Sequence, residues 1–375
     1  MTNPVSGIDA ETMAVYEQHA DDWKAQGNPD RVADAQKFAG RVRSLVNDSA
    51  QRQSDVVVDL GCGPGWYAGA LGRPIIALDA SKAMLDLVPS EAPHALRVQA
   101  DLATLPFRAG SLAGAWASKC YVHLPQTSVP LALADLHHTL AAGTPLNLHV
   151  FAGDLEFASL DVRHLPGRRF STWPPERLVD VVTGAGFVVD EIEIPDQAGR
   201  PSIIVDATRA PTLPDYVGAD MRILICGLNP SVYSAEVGVG FGRPGNRFWT
   251  AALGAGLASE DRNPLHAFRD HRMGMTDLVK RATPKADALS RDEYRLGMAR
   301  ITRLVEWLQP KAVCFVGLAG WRAAVDRTAV AGVQTEGIGD VPVYVMPSTS
   351  GLNARTTPTQ LREHLSAAAK LADAR

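Results

Sequence analysis

Cysteine is scarce: this chain of 375 residues holds four, Cys62, Cys120, Cys226 and Cys314. None forms a Cys-x-x-Cys pair or has a histidine at zinc-finger spacing, so neither a disulfide framework nor a metal site is expected. All four sit in or beside apolar runs, where a reduced thiol packs as a small hydrophobe. Long apolar runs are missing too. None approaches the roughly 20 residues of a membrane-spanning helix, and no basic segment with an apolar core opens the sequence. These absences predict a cytoplasmic protein without membrane association. No internal repeat or low-complexity tract occurs, which excludes repeat architectures.

Length alone exceeds what one hydrophobic core usually organises, so two domains are expected. Overall charge is nearly balanced, with 37 Lys and Arg against 41 Asp and Glu. From residue 220 onward the balance is 20 basic to 15 acidic, leaving 17 basic and 26 acidic residues before it. A phosphate backbone is attracted to the first kind of surface and repelled by the second.

Short apolar runs at Val56–Val58, Ile75–Leu78, Leu112–Ala117 and Leu146–Phe151 end in Gly, Asp or polar residues and read as buried parallel strands. Leu131–Leu140 reads as a crossover helix stopped by Gly143. Gly186–Val189 and Ser202–Val205 read as a closing hairpin, and Tyr16–Trp23 as a helix ahead of the sheet. Residues 210–219, with Pro211 and Pro214, break the pattern and predict a linker between domains 1–209 and 220–375. Strands then restart at Arg222–Cys226, Ala312–Leu318 and Val341–Met346. Ile301, Leu304, Val305 and Leu308 mark one face of a helix that Pro310 ends. Thr357, Pro358 and Gln360 start the last helix. The fold class is α/β with two domains.

In the first half a strand ending in Asp59 runs into Gly61, Gly63 and Gly65, a tight turn whose backbone can approach a ligand closely. The spacing is not the G-x-G-x-x-G of a dinucleotide site. It resembles the turn of class I S-adenosylmethionine-dependent methyltransferases, which implies a seven-stranded Rossmann-like sheet and S-adenosylmethionine as cofactor. The resemblance places Asp59, Gly61, Gly63 and Gly65 at the cofactor, Asp79 on the ribose hydroxyls and Asp101 on the adenine amino group. Lys119, Tyr121, His123, His137 and His138 lie near the expected pocket, and the methyl acceptor stays unnamed.

The second half carries Gly227-Leu228-Asn229-Pro230-Ser231, then Asn246-Arg247-Phe248-Trp249 about 17 residues later, and Pro347-Ser348-Thr349-Ser350-Gly351-Leu352-Asn353. Gly274–Val279 and Gln309–Ala312 fit the same pattern. Together they resemble the mismatch-specific uracil/thymine DNA glycosylases, which flip a base out of DNA and hydrolyse its bond to the sugar. The likeness covers about 150 residues and implies a smaller three-layer α/β/α domain with a short parallel sheet. It makes Asn229 the catalytic residue: an amide cannot act as a base near neutral pH and can only orient a water. Leu228, Phe241 and Asn246 would line the base pocket, with Phe241 stacking on the flipped base and Asn246 also placed to cap a helix. Leu352 would be the wedge that fills the gap in the stack, with Gly351 and Asn353 on the widowed base and Ser348, Ser350 and Arg355 on phosphates. With two cysteines in this half, a four-cysteine iron–sulfur cluster is not expected. Ser231 stands where the family commonly has glycine, and the wedge loop is about one residue longer than in compact bacterial members.

The expectation is therefore a monomeric bifunctional protein that is metal-free. A glycosylase acting on double-stranded DNA with a G:U or G:T mismatch is fused to a methyltransferase. Two rivals are a methyltransferase with a non-catalytic nucleic-acid-binding module, and a two-domain enzyme of nucleoside metabolism.

Overall fold

Strands that are apolar on both faces need cover on both sides, and the chain meets this requirement twice. The computed structural model describes residues 7–27, 29–47, 54–160, 165–197 and 200–375. These fall into two compact units. One holds the residues up to Thr183 with Phe187–Ala210; the other holds Gly184–Gly186 and Pro211–Arg375.

The first unit is built on β1 (Val57–Leu60), β2 (Ile75–Asp79), β3 (Leu96–Gln99), β4 (Gly114–Ser118) and β5 (Pro145–Phe151), all mutually parallel. A two-stranded ribbon, β6 (Ala158–Ser159) and β7 (Arg169–Phe170), follows. The sheet closes with β8 (Phe187–Glu193), β9 (Asp196–Gln197) and β10 (Arg200–Arg209). Strand order is β3-β2-β1-β4-β5-β10-β8, the seven-stranded path expected, with β9 added on β10. β10 runs antiparallel to β5 and β8, the closing hairpin. Every residue of β1 and β5 is buried, as central strands under helices must be. The order reverses between β1 and β4, and open α/β sheets bind ligands beyond the strand ends at such a point. The helix ahead of the sheet is two, Ala10–Gln18 and Ala20–Gln26, broken at His19.

The second sheet comprises β11 (Ile223–Gly227), β12 (Met273–Asp277), β13 (Val313–Val316), β14 (Gly332–Val333) and β15 (Val343–Met346), in the order β12-β11-β13-β15-β14. Four strands are parallel, and the short β14 pairs antiparallel at one edge. Ile223, Ile225, Cys314, Val316, Tyr344 and Met346 face one core, shared with Phe248, Trp249, Leu361 and Leu365 of two helices. On the other face Phe315 meets Trp321 at 5.0 Å. Thr357 caps the last helix, Pro358–Asp373, in a reciprocal capping box with Gln360.

Residues 211–217, inside the stretch read as a linker, pack into this unit. Leu213 and Val217 are buried, and Tyr216 bridges to Met275. The Asp215 carboxylate accepts from Arg300, Lys280 and Thr276, each at 2.7 Å. Burial opposes its charge, but the two cations prevail and hold its pKa below the usual carboxylate value.

Candidate functional site

At the end of β1 the chain turns through Gly61, Gly63 and Gly65, with φ of 60°, 53° and 89°. Side chains rarely adopt this left-handed region. A Cβ on Gly61 would lie 2.3 Å from that of Cys120, so the turn also needs glycine for space. Asp79, closing β2, accepts from the Gly63 and Ser81 amides at 2.9 Å each and so fixes the turn. Asp59 is fully buried and one carboxylate oxygen has no partner; burial, with Asp79 nearby, raises its pKa well above the ordinary value. Asp101 accepts from Ile8 and Ala103 amides at 3.0 and 2.8 Å, drawing the N-terminal segment over the turn. A cavity of about 530 Å³ opens here, lined by Asp59, Gly61, Gly63 and Asp79 and, across from them, by Tyr16, His123 and Arg168. Leu102, not Asp101, lines it. Of the five polar residues that the sequence places near the pocket, Lys119 and His123 line it; Tyr121, His137 and His138 do not.

In the second unit the C-terminal ends of the parallel strands share one edge. After β11 the loop 228–231 lies along the loop after β12: the Leu278 and Val279 amides donate to Gly227 and Leu228 carbonyls at 2.9 Å, and the Thr283 amide to Pro230 at 3.1 Å. This lacing positions Asn229. Its Nδ2 donates to the carbonyls of Pro230 and Arg281 at 3.1 and 3.0 Å and to Thr283 Oγ1 at 2.8 Å. The Thr283 hydroxyl itself donates to the Lys285 carbonyl, so it can only accept from Asn229. The amide orientation is thereby settled. Its Oδ1 accepts nothing from the described residues.

Phe241 holds a left-handed φ of 56°, uncommon for a bulky residue, and stacks on Phe248 at 4.2 Å. Its ring and the Asp277 carboxylate converge on Gly227, where an added Cβ would lie 3.3 and 2.3 Å from them. Leu228 turns away toward the helix Leu318–Ala324, against Gly320. Asn246 Oδ1 accepts from the Phe248 amide at 2.9 Å, a local turn just ahead of the helix Phe248–Gly254, whose N-cap position is Arg247. Ser231, by its hydroxyl, caps the short helix Val232–Val237.

Residues 57–143 match a family model described as a methyltransferase domain, and residues 214–371 match one described as the uracil DNA glycosylase superfamily. The chain joins a methyltransferase domain to a uracil DNA glycosylase superfamily domain. Similar solved structures include a complex titled DhpI-SAH, at 15% identity and TM-score 0.42, covering 55% of this chain and 98% of that one. A 1,6-didemethyltoxoflavin-N1-methyltransferase from Burkholderia thailandensis is 19% identical, TM-score 0.39, covering 55% and 94%. Magnesium protoporphyrin IX methyltransferase from Synechocystis PCC 6803 is 18% identical, TM-score 0.38, covering 55% and 99%.

In the glycosylase-superfamily domain the loop after β15 presents Leu352, 86% exposed. It is a built loop. Asn353 donates to the Ser348 carbonyl and Thr356 Oγ1 at 2.8 and 3.1 Å, and the Ser348 and Ser350 hydroxyls accept from the Ser350 and Leu352 amides at 3.3 Å. Gly351 rests on the Gly245 backbone, where a Cβ would lie 2.8 Å from its carbonyl oxygen. Arg355 is exposed.

Two residues of this unit escaped the sequence reading. Arg247 donates to the carbonyls of Thr356, Ser350 and Asn353 at 2.6, 3.0 and 2.7 Å, clamping the loop from beneath. Its place in Asn-Arg-Phe-Trp was the available signal. The Asp277 carboxylate accepts no hydrogen bond from the described residues, although its backbone carbonyl accepts from Arg300 at 2.8 Å, and burial pushes its pKa up to about 6. In the methyltransferase domain Glu17 was missed as well; it accepts from Ser81 Oγ at 2.6 Å and so ties the first helix to the loop after β2.

No group of three or more His, Cys, Asp or Glu among the described residues is arranged to hold a metal, and the four cysteines are free and buried. No helix among them is long and apolar enough to cross a membrane.

Proposed function

We propose that residues 220–375 form a monofunctional DNA glycosylase for uracil or thymine in G:U and G:T mismatches, joined through 210–219 to an S-adenosylmethionine-dependent methyltransferase in residues 1–209. The observation that carries the first half of this reading is Asn229. Three acceptors hold its Nδ2, so Oδ1 is left to accept from the water that attacks the sugar. Such an amide aligns the water without taking its proton. The glycosidic bond must then loosen first, toward an oxocarbenium-like sugar, which favours good leaving groups such as uracil. Phe241 offers a ring face to the flipped base, already backed by Phe248. Asn246 shapes the pocket wall through the turn that it closes on the Phe248 amide, and Leu228 through backbone rather than side chain.

Leu352 enters the base stack from the loop clamped by Arg247. Gly351 and Asn353 face the widowed base, while Ser348, Ser350 and Arg355 meet phosphates. The exposed apolar tip on a braced loop supports duplex DNA over free nucleosides. The test is incubation of the full chain with G:U, G:T and undamaged duplexes, followed by alkaline cleavage of abasic sites. Strand breaks are expected in the first two after alkali and in none before it. Duplex binding without excision would leave a nucleic-acid-binding module instead.

The residues of the first cavity fit S-adenosylmethionine. Gly61 and Gly63 present bare backbone to the cavity, and the Asp59 carboxylate has an unpartnered buried oxygen. Asp79 would take the ribose hydroxyls with its remaining lone pairs, Gly65 supports the turn, and Asp101 braces the segment over the adenine end. When bound, the group supplies an activated methyl; the chain supplies alignment and exclusion of water.

A further inference from the structure

The end of β12 sets an acid beside the ring that a flipped base would meet. Asp277 closes that strand, directly opposite Gly227 at the end of β11. A Cβ on Gly227 would lie 2.3 Å from Asp277 Oδ1 and 3.3 Å from Phe241 Cζ, so carboxylate and ring edge crowd the same glycine. Both also line one hollow, whose walls include Leu213, Pro214 and Met275. Its volume of about 20 Å³ takes the polar edge of a ring and not the ring itself. The Thr276 hydroxyl, which lines it too, is committed to Asp215 and Arg300 at 2.7 and 3.1 Å.

The charged groups around Asp277 are bonded to one another. Lys280 and Arg300 each hold the Asp215 carboxylate at 2.7 Å, and Arg300 also donates to the Asp277 backbone carbonyl at 2.8 Å. Burial is the largest influence on the Asp277 carboxyl and raises its pKa. Asp215 raises it further, Lys280 and Arg300 lower it, and the balance stands at about 6. The Cys226 thiol, one residue before Gly227, stays neutral, since burial raises its pKa well above the ordinary value. Near neutral pH a small change in surroundings therefore decides whether Asp277 carries a proton.

We propose that Asp277 is a base-selecting residue of the glycosylase and works as a neutral acid on a flipped base with an imide edge. Its hydroxyl donates to a ring carbonyl, and its carbonyl oxygen accepts from the adjoining ring N–H. The inference rests on the glycosylase reading above; uracil and thymine both carry such an edge. As the glycosidic bond breaks, its electron pair passes into the base and charge gathers on the ring carbonyls, where the acid's hydrogen bond stabilises it. The attacking water gives its oxygen to the sugar, and one of its protons neutralises the departed base. An ionised carboxylate acts the other way: it offers no donor and repels the forming anion. The amide of Asn229 does not titrate near neutral pH, so the protonation of Asp277 should govern how excision depends on pH.

The test is single-turnover excision by the full chain, in excess over a G:U duplex, from about pH 5.5 to about pH 8.5. The wild-type rate should be highest at the acid end and fall nearly tenfold per pH unit above about 7, as for an essential acid of this pKa. Asp277→Asn keeps a donor and an acceptor without the charge. It should flatten the profile and exceed wild type by about tenfold or more near pH 8. Asp277→Leu, with neither group, should be slow at every pH. A flat wild-type profile, or one that falls equally in the Asn variant, overturns the role of Asp277 and leaves the glycosylase reading standing. The wild-type arm needs no variant, so it decides even where a substitution unfolds the chain. Absence of excision by the wild type at every pH overturns the glycosylase reading, and this inference with it.

Discussion

Asn229 and Asp277 lie at the ends of neighbouring strands, and each makes a separable prediction. Asn229→Ala should lower uracil excision about 10²-fold or more, as removal of one oriented active-site group does, while duplex affinity stays within a few-fold. The amide's proposed partner is the attacking water, so the loss should fall on the chemical step. Single-turnover kinetics on a G:U duplex measure it; a mutant within a few-fold of wild type makes Asn229 a turn residue. Asp277 predicts a pH effect on stability. Its pKa is 3.8 unfolded and about 6 folded, raised by burial. Between these values the folded state holds a proton that the unfolded state has lost, so the contribution of Asp277 to stability is greatest below about 4 and is lost as pH rises through about 6. Asp277→Asn removes that term. The stability gained by the variant should therefore grow across this window and level off above it, which urea unfolding at several pH values reports. Neither the orientation of the Asn229 amide nor the shift at Asp277 is legible in the sequence. The first depends on the Arg281 carbonyl and the Thr283 hydroxyl, 52 and 54 residues away, and the second on packing around a strand end that carries an ordinary acidic residue.

Elements were legible where hydrophobic patterning was strong. β1, β2, β5 and β11 follow from short apolar runs, and the helices Arg291–Leu308 and Pro358–Asp373 from periodicity and caps. β3 is an exposed edge strand with little apolar signal, marked only by Asp101 just beyond it. β12 mixes Gly274 and Thr276 with two methionines, so it shows neither alternation nor an apolar run; burial comes from its neighbours. The Leu352 loop was legible as a motif, but its support was not, because Arg247 reaches it across more than 100 residues of sequence. That support is testable. Leu352→Ala should weaken binding to mismatched duplex while sparing single-stranded uracil DNA, which has no stack to fill. Arg247→Ala should reproduce the same pattern, since an unclamped loop presents its leucine poorly. Equal losses on both substrates would make Leu352 a packing residue, and an Arg247 variant with full duplex affinity would make the clamp dispensable.

At the scale of the molecule, each unit has its own sheet and core, so a ligand specific to one should stabilise that one. S-adenosylhomocysteine at about 100 times its Kd should stabilise the methyltransferase unit by about 2.7 kcal/mol through mass action alone. In a calorimetric scan of the full chain one transition should move up and the other stay. Asp79→Ala should reduce the movement at fixed ligand. Two effects contribute: loss of the proposed ribose contact, about 1.5–3 kcal/mol for a charged hydrogen-bonding group, and loosening of the turn that Asp79 holds through the Gly63 amide. Asp79→Asn separates them, since its side-chain oxygen can still accept from one backbone amide while the charge is gone. If Asn restores the turn but not the affinity, the carboxylate itself meets the ligand. If both variants bind as wild type does, the ribose contact lies elsewhere on the cavity wall. Were both transitions to rise together with ligand, the two units would unfold as one cooperative block despite their separate cores.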